Sequence, residues 1–423
     1  MNKIRVFAVL LLAAAVAAVS AGCAKPAVSA KAADLMKDIS ASSAAVKPLD
    51  KAFTAGMADF SIELFKKSLT GNENALISPL SVALALAMTA NGAHGGTLSQ
   101  MEQLLCGGVP LEALNGYLYS YAQSLPSKEK SKLNMANSIW FRSDGESLLV
   151  KESFLQKNAD YYTAAAYSSA FDKQTVDDIN NWVKSNTDGL IDKILEKIEE
   201  NDMLFLINAV VFDAEWQSVY FKESVRKGEF TDINGSKQNV DFMHSSEYGY
   251  LDDSIATGFI KPYANGAYSF AALLPNAGIS IQDYIASLTG EQFLDTLSNI
   301  QQNMLVYAST PKFKYDYSIS MVDTLKALGV IDAFDEDNAD FSEMGKTTLG
   351  KGNLFISEVL HKTYIAVDEL GTKAGAVTMV AVSPGGFGGA PDHMVVNLDR
   401  PFVYAIIDNA TNLPIFIGAL MTV

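Results

Sequence analysis

Cysteine is nearly missing from this chain: there are two among 423 residues, Cys23 and Cys106. At most one disulfide is possible, and a thiolate metal site, which needs several sulfurs at close spacing, is excluded. Histidine is almost as sparse. His94, His244, His361 and His393 are dispersed, with no His-Glu-x-x-His pair to hold a zinc ion. Neither a Gly-x-Ser-x-Gly elbow nor a Gly-x-x-x-x-Gly-Lys-Ser/Thr phosphate loop occurs. The glycines between Gly385 and Gly389 lack the following helix that would aim backbone N–H groups at an anion. Charged residues make up only 19%, and the net charge of −16 argues against a nucleic-acid partner. The equipment of a conventional enzyme is therefore absent from the sequence. No metal and no cofactor is expected.

What is present begins with a targeting segment. Lys3 and Arg5 precede an apolar run from Val6 to Val19, short for a membrane span, and then Ser20-Ala21-Gly22-Cys23. Small residues directly before a cysteine resemble the lipobox of a bacterial lipoprotein, where the chain is cut before the cysteine and its thiol carries lipid. Ser20 stands where that pattern has an aliphatic residue, and the alternative is an ordinary secretory signal with a chance cysteine. The expectation is a signal peptide at 1–22, lipidation at Cys23, and a protein held at the extracellular face of a bacterial membrane or otherwise secreted. With Cys23 lipidated, Cys106 has no disulfide partner. Residues 23–50, rich in Ala, Lys and Ser, read as a solvated tether, with a helical turn or two at Asp34–Ile39. A folded unit over 51–423 follows, with 49% hydrophobic residues overall to build a large core.

Helical signals dominate the first third of that unit. Ser78 suits an N-cap and Pro79 a first helical position, and Asn91-Gly92 suits a stop. Between them Leu80 to Met88 is apolar nearly all round, so this helix should be buried on most sides. A second helix is predicted from Asp177 to Thr187 with Ile179, Trp182 and Val183 inward. Strands follow. Met203 to Phe212 is almost wholly apolar, as in a central strand covered on both faces. Tyr268 to Leu274 reads as another. Leu354 to Val367 alternates, with Phe355, Val359, His361, Thr363, Ile365 and Val367 on one face. Phe402–Asp408 and Leu413–Met421 form a final hairpin around Asn409 to Asn412. Helices first and antiparallel sheets later predict an α+β fold.

Two features stand out. Asn208 and His361 are polar side chains in apolar strands, and Ser78 and Ser81 open a buried helix; buried polar groups need partners, so these four are expected to satisfy one another if their elements meet. The segment after Glu369-Leu370-Gly371 is also unusual. Written as a strand, one face carries Thr372, Ala374, Ala376 and Thr378, all small, and the other Lys373, Gly375, Val377 and Met379. A segment with one uniformly small face suits insertion between strands already packed on a core. It leads into Ser383-Pro384-Gly385-Gly386-Phe387-Gly388-Gly389, which cannot hold regular structure.

Together these blocks resemble the serpins, a family of serine protease inhibitors, over residues 50–423. Asn74-Ala75-Leu76-Ile77-Ser78-Pro79-Leu80-Ser81, Asn137-Ser138-Ile139-Trp140-Phe141 and Ile179-Asn180-Asn181-Trp182-Val183 match in order, followed by Asn208, Phe212 and Trp216. Pro311-Lys312-Phe313, Leu328-Gly329 and Ala339-Asp340-Phe341-Ser342 continue the series. His361-Lys362, then Glu369-x-Gly371-Thr372-x-Ala374, Arg400-Pro401-Phe402 and Pro414-Ile415-Phe416-Ile417-Gly418 complete it.

The resemblance implies three β-sheets, about nine helices and an exposed reactive-centre loop. It implies a monomeric inhibitor, not an enzyme, that forms a covalent acyl complex with a serine protease and then inserts its loop into the central sheet. Ser78, Ser81, Asn208 and His361 become the shutter beneath the opening sheet, Trp216 the breach, and Glu369, Gly371, Thr372, Ala374, Ala376 and Thr378 the hinge. Before insertion the Thr372 side chain is expected to face water. From Thr372 to Gly385 an extended strand spans about 45 Å, close to the roughly 50 Å diameter of a domain this size. The family's spacing from Glu369 puts the reactive bond at Gly385–Gly386, with Val382 and Phe387 as alternatives in a loop that is longer than usual. With no Lys or Arg nearby, elastase-, subtilisin- or chymotrypsin-like targets are expected. The rival within the family is a non-inhibitory binding module or chaperone. Leu370 and Lys373 replace acidic residues common in serpin hinges, and Asp213-Ala214-Glu215 replaces a stretch that usually holds lysine and glycine.

Overall fold

Ser78-Pro79 starts its helix where the sequence places it: Pro79 is the first helical residue, and all twelve residues to Ala90 are buried. Such a helix needs apolar walls on every side, and two sheets provide them. The computed structural model describes residues 31–127, 130–144, 147–350, 352–372 and 393–423. In chain order the elements are β1 (Ala33–Asp34), α1 (Lys51–Ser68), β2 (Ala75–Ile77), α2 (Pro79–Ala90), α3 (Gly95–Leu104), α4 (Leu111–Ser124), β3 (Ser131–Arg142), β4 (Leu148–Val150), α5 (Glu152–Tyr162), β5 (Ala165–Ser169), α6 (Lys173–Asn186) and β6 (Leu204–Glu215). There follow β7 (Val225–Thr231), β8 (Lys237–Asp252), β9 (Ala256–Pro262), β10 (Tyr268–Pro275), α7 (Ile281–Ser287), α8 (Gly290–Ser298), β11 (Gln301–Pro311) and β12 (Phe313–Ser320). Then come α9 (Val322–Ala327), β13 (Gly345–Thr347), β14 (Glu358–Val367), β15 (Gly371–Thr372), β16 (His393–Asn397), β17 (Phe402–Asp408) and β18 (Pro414–Leu420). Among the described residues these make nine α-helices and three sheets, the α+β arrangement expected.

The first sheet runs β1-β5-β3-β6-β15-β14-β12, and the second β16-β11-β8-β9-β10-β17-β18-β2 with β7 on β8. A small pair, β13-β4, stands apart. Helix α2 packs against β18 of the second sheet and against β3 and β6 of the first, so it fills the space between them. On β6 the alternation is complete. Leu204, Leu206, Val210 and Phe212 join the large core beside α2, while Phe205, Ile207, Ala209 and Val211 join a second core under α6. That is why the strand reads as a continuous apolar run. Asn208 falls on the α2 side of this alternation.

Helix α6 begins earlier than predicted, at Lys173, because the Asp172 side chain caps it by accepting the Thr175 N–H at 3.1 Å. Ile179 and Val183 are buried and Trp182 is half-buried. Strand β14 starts at Glu358 rather than Leu354; from there Val359, His361, Thr363, Ile365 and Val367 are buried in alternation.

Residues 31–50, expected as a solvated tether, are docked along the body. Ala33 and Asp34 extend the first sheet by pairing with Ser168 and Tyr167 of β5. The Ala32 N–H donates to Asp178 of α6 at 3.1 Å, and Ser42 donates its N–H to Asp160 of α5 at 2.7 Å. Lys47 lies 4.3 Å above the Tyr117 ring on α4. This corrects the tether for that stretch. Backbone groups offered by the sheet edge and carboxylates on two helices hold a segment whose composition alone suggested solvation. The stretch 1–30, with the expected signal peptide and Cys23, and the loop 373–392 lie outside the described residues.

Candidate functional site

The C-terminal end of β14 turns sharply at Asp368, whose carboxylate accepts the N–H groups of Leu370 and Gly371 at 2.8 and 3.3 Å. The chain then re-enters the first sheet as β15, a two-residue wedge. Thr372 pairs with Val367 on one side and Ala214 on the other, and Gly371 pairs with Glu215. A Cβ at Gly371 would lie 2.0 Å from the Ala214 carbonyl oxygen, so only glycine permits this approach.

The segment after β6 grips the wedge. The Trp216 N–H donates to Leu370 O at 2.8 Å, the Trp216 indole to Asp368 O at 2.9 Å, and the Tyr220 N–H to Glu369 O at 2.9 Å. Lys312 pairs with Glu369 at 2.8 Å. Burial works against the Glu369 charge, but the Lys312 bond and a backbone donor outweigh it and lower its pKa. Tyr263 stacks on Trp216, with ring centroids 4.6 Å apart, and its hydroxyl meets the Thr372 hydroxyl at 2.5 Å. Thr372 is 1% exposed. The expectation that its side chain faces water before insertion is corrected here: a small polar side chain beneath Tyr263 is enclosed as soon as the wedge forms. Glu369, Gly371 and Thr372 thus sit together around Trp216. Ala374, Ala376, Thr378, Val382, Gly385, Gly386 and Phe387 lie outside the described residues.

One sheet-length below, β6 and β14 pair directly and in parallel, Glu358–Thr363 against Phe205–Val210. His361 faces Asn208 across this seam. The Ser78 backbone N–H donates to His361 Nε2 at 3.1 Å, so Nε2 is unprotonated and Nδ1 carries the hydrogen. Nδ1 donates to Asn208 Oδ1 at 2.5 Å. The Asn208 amide then donates to Ser81 O at 2.8 Å, to the Ser81 hydroxyl and to Asn137 Oδ1. Burial drives the His361 pKa down from 6.5 to about 3. The ring is neutral and serves as a structural acceptor and donor. Ser78, Ser81, Asn208 and His361 are therefore brought together. Among the described residues the Ser78 hydroxyl has no partner and makes no cap bond; the Ser78 backbone N–H makes the contact.

Three participants went unrecognised from sequence. Asn137 and Lys312 stand inside matching blocks without any local sign of their partners. Tyr263 lies 109 positions from Thr372 and carries no sequence signal at all. No group of three or more His, Cys, Asp or Glu side chains among the described residues is placed to hold a metal.

A sequence model described as serpin (serine protease inhibitor) matches residues 55–423. The chain belongs to the serpin family. It is similar to the thermophilic serpin tengpin in its native-state crystal structure, at 54% identity and a TM-score of 0.88, covering 93% of this chain and all of that one. The latent state of tengpin superposes less well, with a TM-score of 0.78 at 52% identity, covering 89% of this chain and 100% of that one. Among curated relatives, serpin B8 of Homo sapiens is 30% identical over 372 residues, 85% of this chain and 96% of that protein.

Proposed function

We propose that this serpin is a suicide-substrate inhibitor of elastase-, subtilisin- or chymotrypsin-like serine proteases. It acts as a monomer, held by lipid on Cys23 at the outer face of a bacterial membrane. The observation that carries the mechanism is the register of the wedge. Thr372 lies opposite Val367 and Ala214 in antiparallel pairing. Six residues further along the loop is Thr378; six residues back from these partners are His361 and Asn208. Continued in register, the loop brings its one mid-face hydroxyl to the polar cluster under the seam, and residues 376–381 displace the pairing of 358–363 with 205–210.

Insertion exchanges one parallel seam for two antiparallel ones. Antiparallel pairing is the more stable per residue, and each net hydrogen bond contributes about 0.5–1.5 kcal/mol. A native chain with this exchange still to make is metastable, and its persistence is kinetic. Serine attack on the carbonyl before the scissile bond forms an ester to the N-terminal part of the chain and expels the α-amine of the following residue, which leaves with the C-terminal part. Insertion then carries that protease along the sheet before water can cleave the ester.

The test is incubation with a panel of elastase-, subtilisin-, chymotrypsin- and trypsin-like proteases, read on denaturing gels. A denaturant-stable complex with one of the first three is expected. Cleavage by all of them without any complex would replace this reading with a non-inhibitory serpin.

A further inference from the structure

A cleft of about 470 Å3 opens where β8, β11 and β16 meet the segment linking β6 to β7. Two cross-strand rows line it: Ser246, Tyr307 and Val395, and two residues on, His244, Ser309 and Asn397. The period-two alternation puts both rows on one face of the sheet. Tyr307 and Val395 remain about half exposed, as does Phe221 on the linking segment, so an apolar strip faces the opening. Lys261 and Glu247 also line the cleft, as an ion pair at 2.7 Å with both side chains buried. The Lys261 ammonium lies 4.3 Å from the centre of the Tyr220 ring and 5.5 Å from that of Trp216. Arg226 is exposed at the same cleft, and no carboxylate pairs with it among the described residues. In a chain of net charge −16, a guanidinium left without an acid beside exposed aromatic rings is a distinct local environment.

We propose that this cleft binds a small aromatic anion, an aryl carboxylate or sulfonate, with its ring against Tyr307 and Phe221 and its acid group on Arg226. The size falls within the range of ligand pockets, which are apolar with a few convergent polar groups. A planar guanidinium is the side chain best matched to a carboxylate or sulfonate, through paired charge-assisted hydrogen bonds. The buried Lys261–Glu247 pair is already satisfied and stiffens the wall rather than competing for the anion. That wall reaches the loop root, because Tyr220 donates to Glu369 O and Trp216 to Asp368 O and Leu370 O. An occupied cleft therefore biases loop insertion. This second step rests on the inhibitory reading above, whereas the binding itself does not.

The test uses the folded protein and 1-anilinonaphthalene-8-sulfonate as probe, with neutral 1-naphthol and inorganic sulfate as comparators, in isothermal titration calorimetry. One saturable site for the aryl sulfonate is expected. Arg226→Ala and Tyr307→Ala should each weaken it roughly tenfold or more, in line with losing a hydrogen bond to a charged group or a stacked ring. Both residues are on the surface, so the thermal transition of each variant should match the parent. Binding that both variants retain, or naphthol binding as tightly as the sulfonate, overturns the site. With the probe saturating, the rate of covalent complex formation with a reactive protease should shift at least about twofold. An unchanged rate with binding intact overturns the coupling alone. No complex with or without probe counts against the inhibitory reading and leaves the site standing on the calorimetry.

Discussion

The Nδ1–H of His361 donates to Asn208 Oδ1 across the seam between β14 and β6, at 2.5 Å. It is a side-chain bridge over the line along which, in the proposed mechanism, the first sheet parts to admit a strand. An interposed strand would move these backbones from one strand spacing apart to two, about 5 to about 10 Å. The bridge therefore exists only while the sheet is closed, and whatever weakens it lowers the resistance to opening.

Acid should weaken the closed state through the other ring nitrogen: an added proton goes to Nε2, which then can no longer accept the Ser78 N–H. The folded His361 has a pKa near 3 against 6.5 in the unfolded chain, because burial disfavours its charge. Between those values the unfolded state binds the extra proton, so native stability is full above pH 6.5 and falls as pH drops towards 3. From pH 7 to pH 5 the loss is about 2 kcal/mol. Thermal unfolding of the parent and of His361→Gln across this range measures it. The parent should lose more than the variant, and parallel curves would show that His361 is not held neutral.

Ala376→Arg is the clean test of insertion. Thr372 does not serve, because it is already buried against Tyr263 in the closed sheet and an arginine there would damage the native fold. In the register proposed, Ala376 reaches the sheet interior only after cleavage, where an unpaired cation costs several kcal/mol. The variant should retain the parent's unfolding temperature, be cut at a similar rate and yield no denaturant-stable complex. Complex formation at the parent's efficiency would mean inhibition without loop insertion.

Cleavage should fall between Val382 and Phe387. The candidate positions are Val382, Pro384, Gly385, Gly386 and Phe387, and no Lys or Arg lies between Ala374 and Ala390. Mass spectrometry of the released C-terminal peptide reads the bond directly. A single cut after Lys373 would remove both the specificity class and the proposed path of insertion.

Membrane association should depend on Cys23. In cells, Cys23→Ala should either release the protein or leave it unprocessed, seen as a shift in gel mobility and in detergent partition. Equal partition and processing in parent and variant would point to an ordinary secretory signal.

Much of this arrangement was legible in the sequence because side-chain period is a local property. The continuous apolar run of β6, the all-round apolarity of α2 and the alternation of β14 each report how many faces of an element are covered, and each agrees with the structure. Asn208 and His361 declared a need for partners by being polar in such strands. The order of the family blocks did the rest for fold and class. Which partners they find was not local. The bonds of Tyr263 to Thr372, Lys312 to Glu369 and Asn208 to Ser81, and the burial of Lys261 against Glu247, depend on strand register and on how two sheets close around α2. The docking of residues 31–50 likewise depends on a free sheet edge and on carboxylates of α5 and α6 that no local pattern reveals. Local pattern is enough for the layers and for a loop with no basic residue between Ala374 and Ala390; the enclosure of Thr372 and the histidine–asparagine bond across the seam arise only when the sheets assemble. The physical reason is that periodicity sets which face a side chain takes, whereas contacts between distant segments are set by packing of the whole.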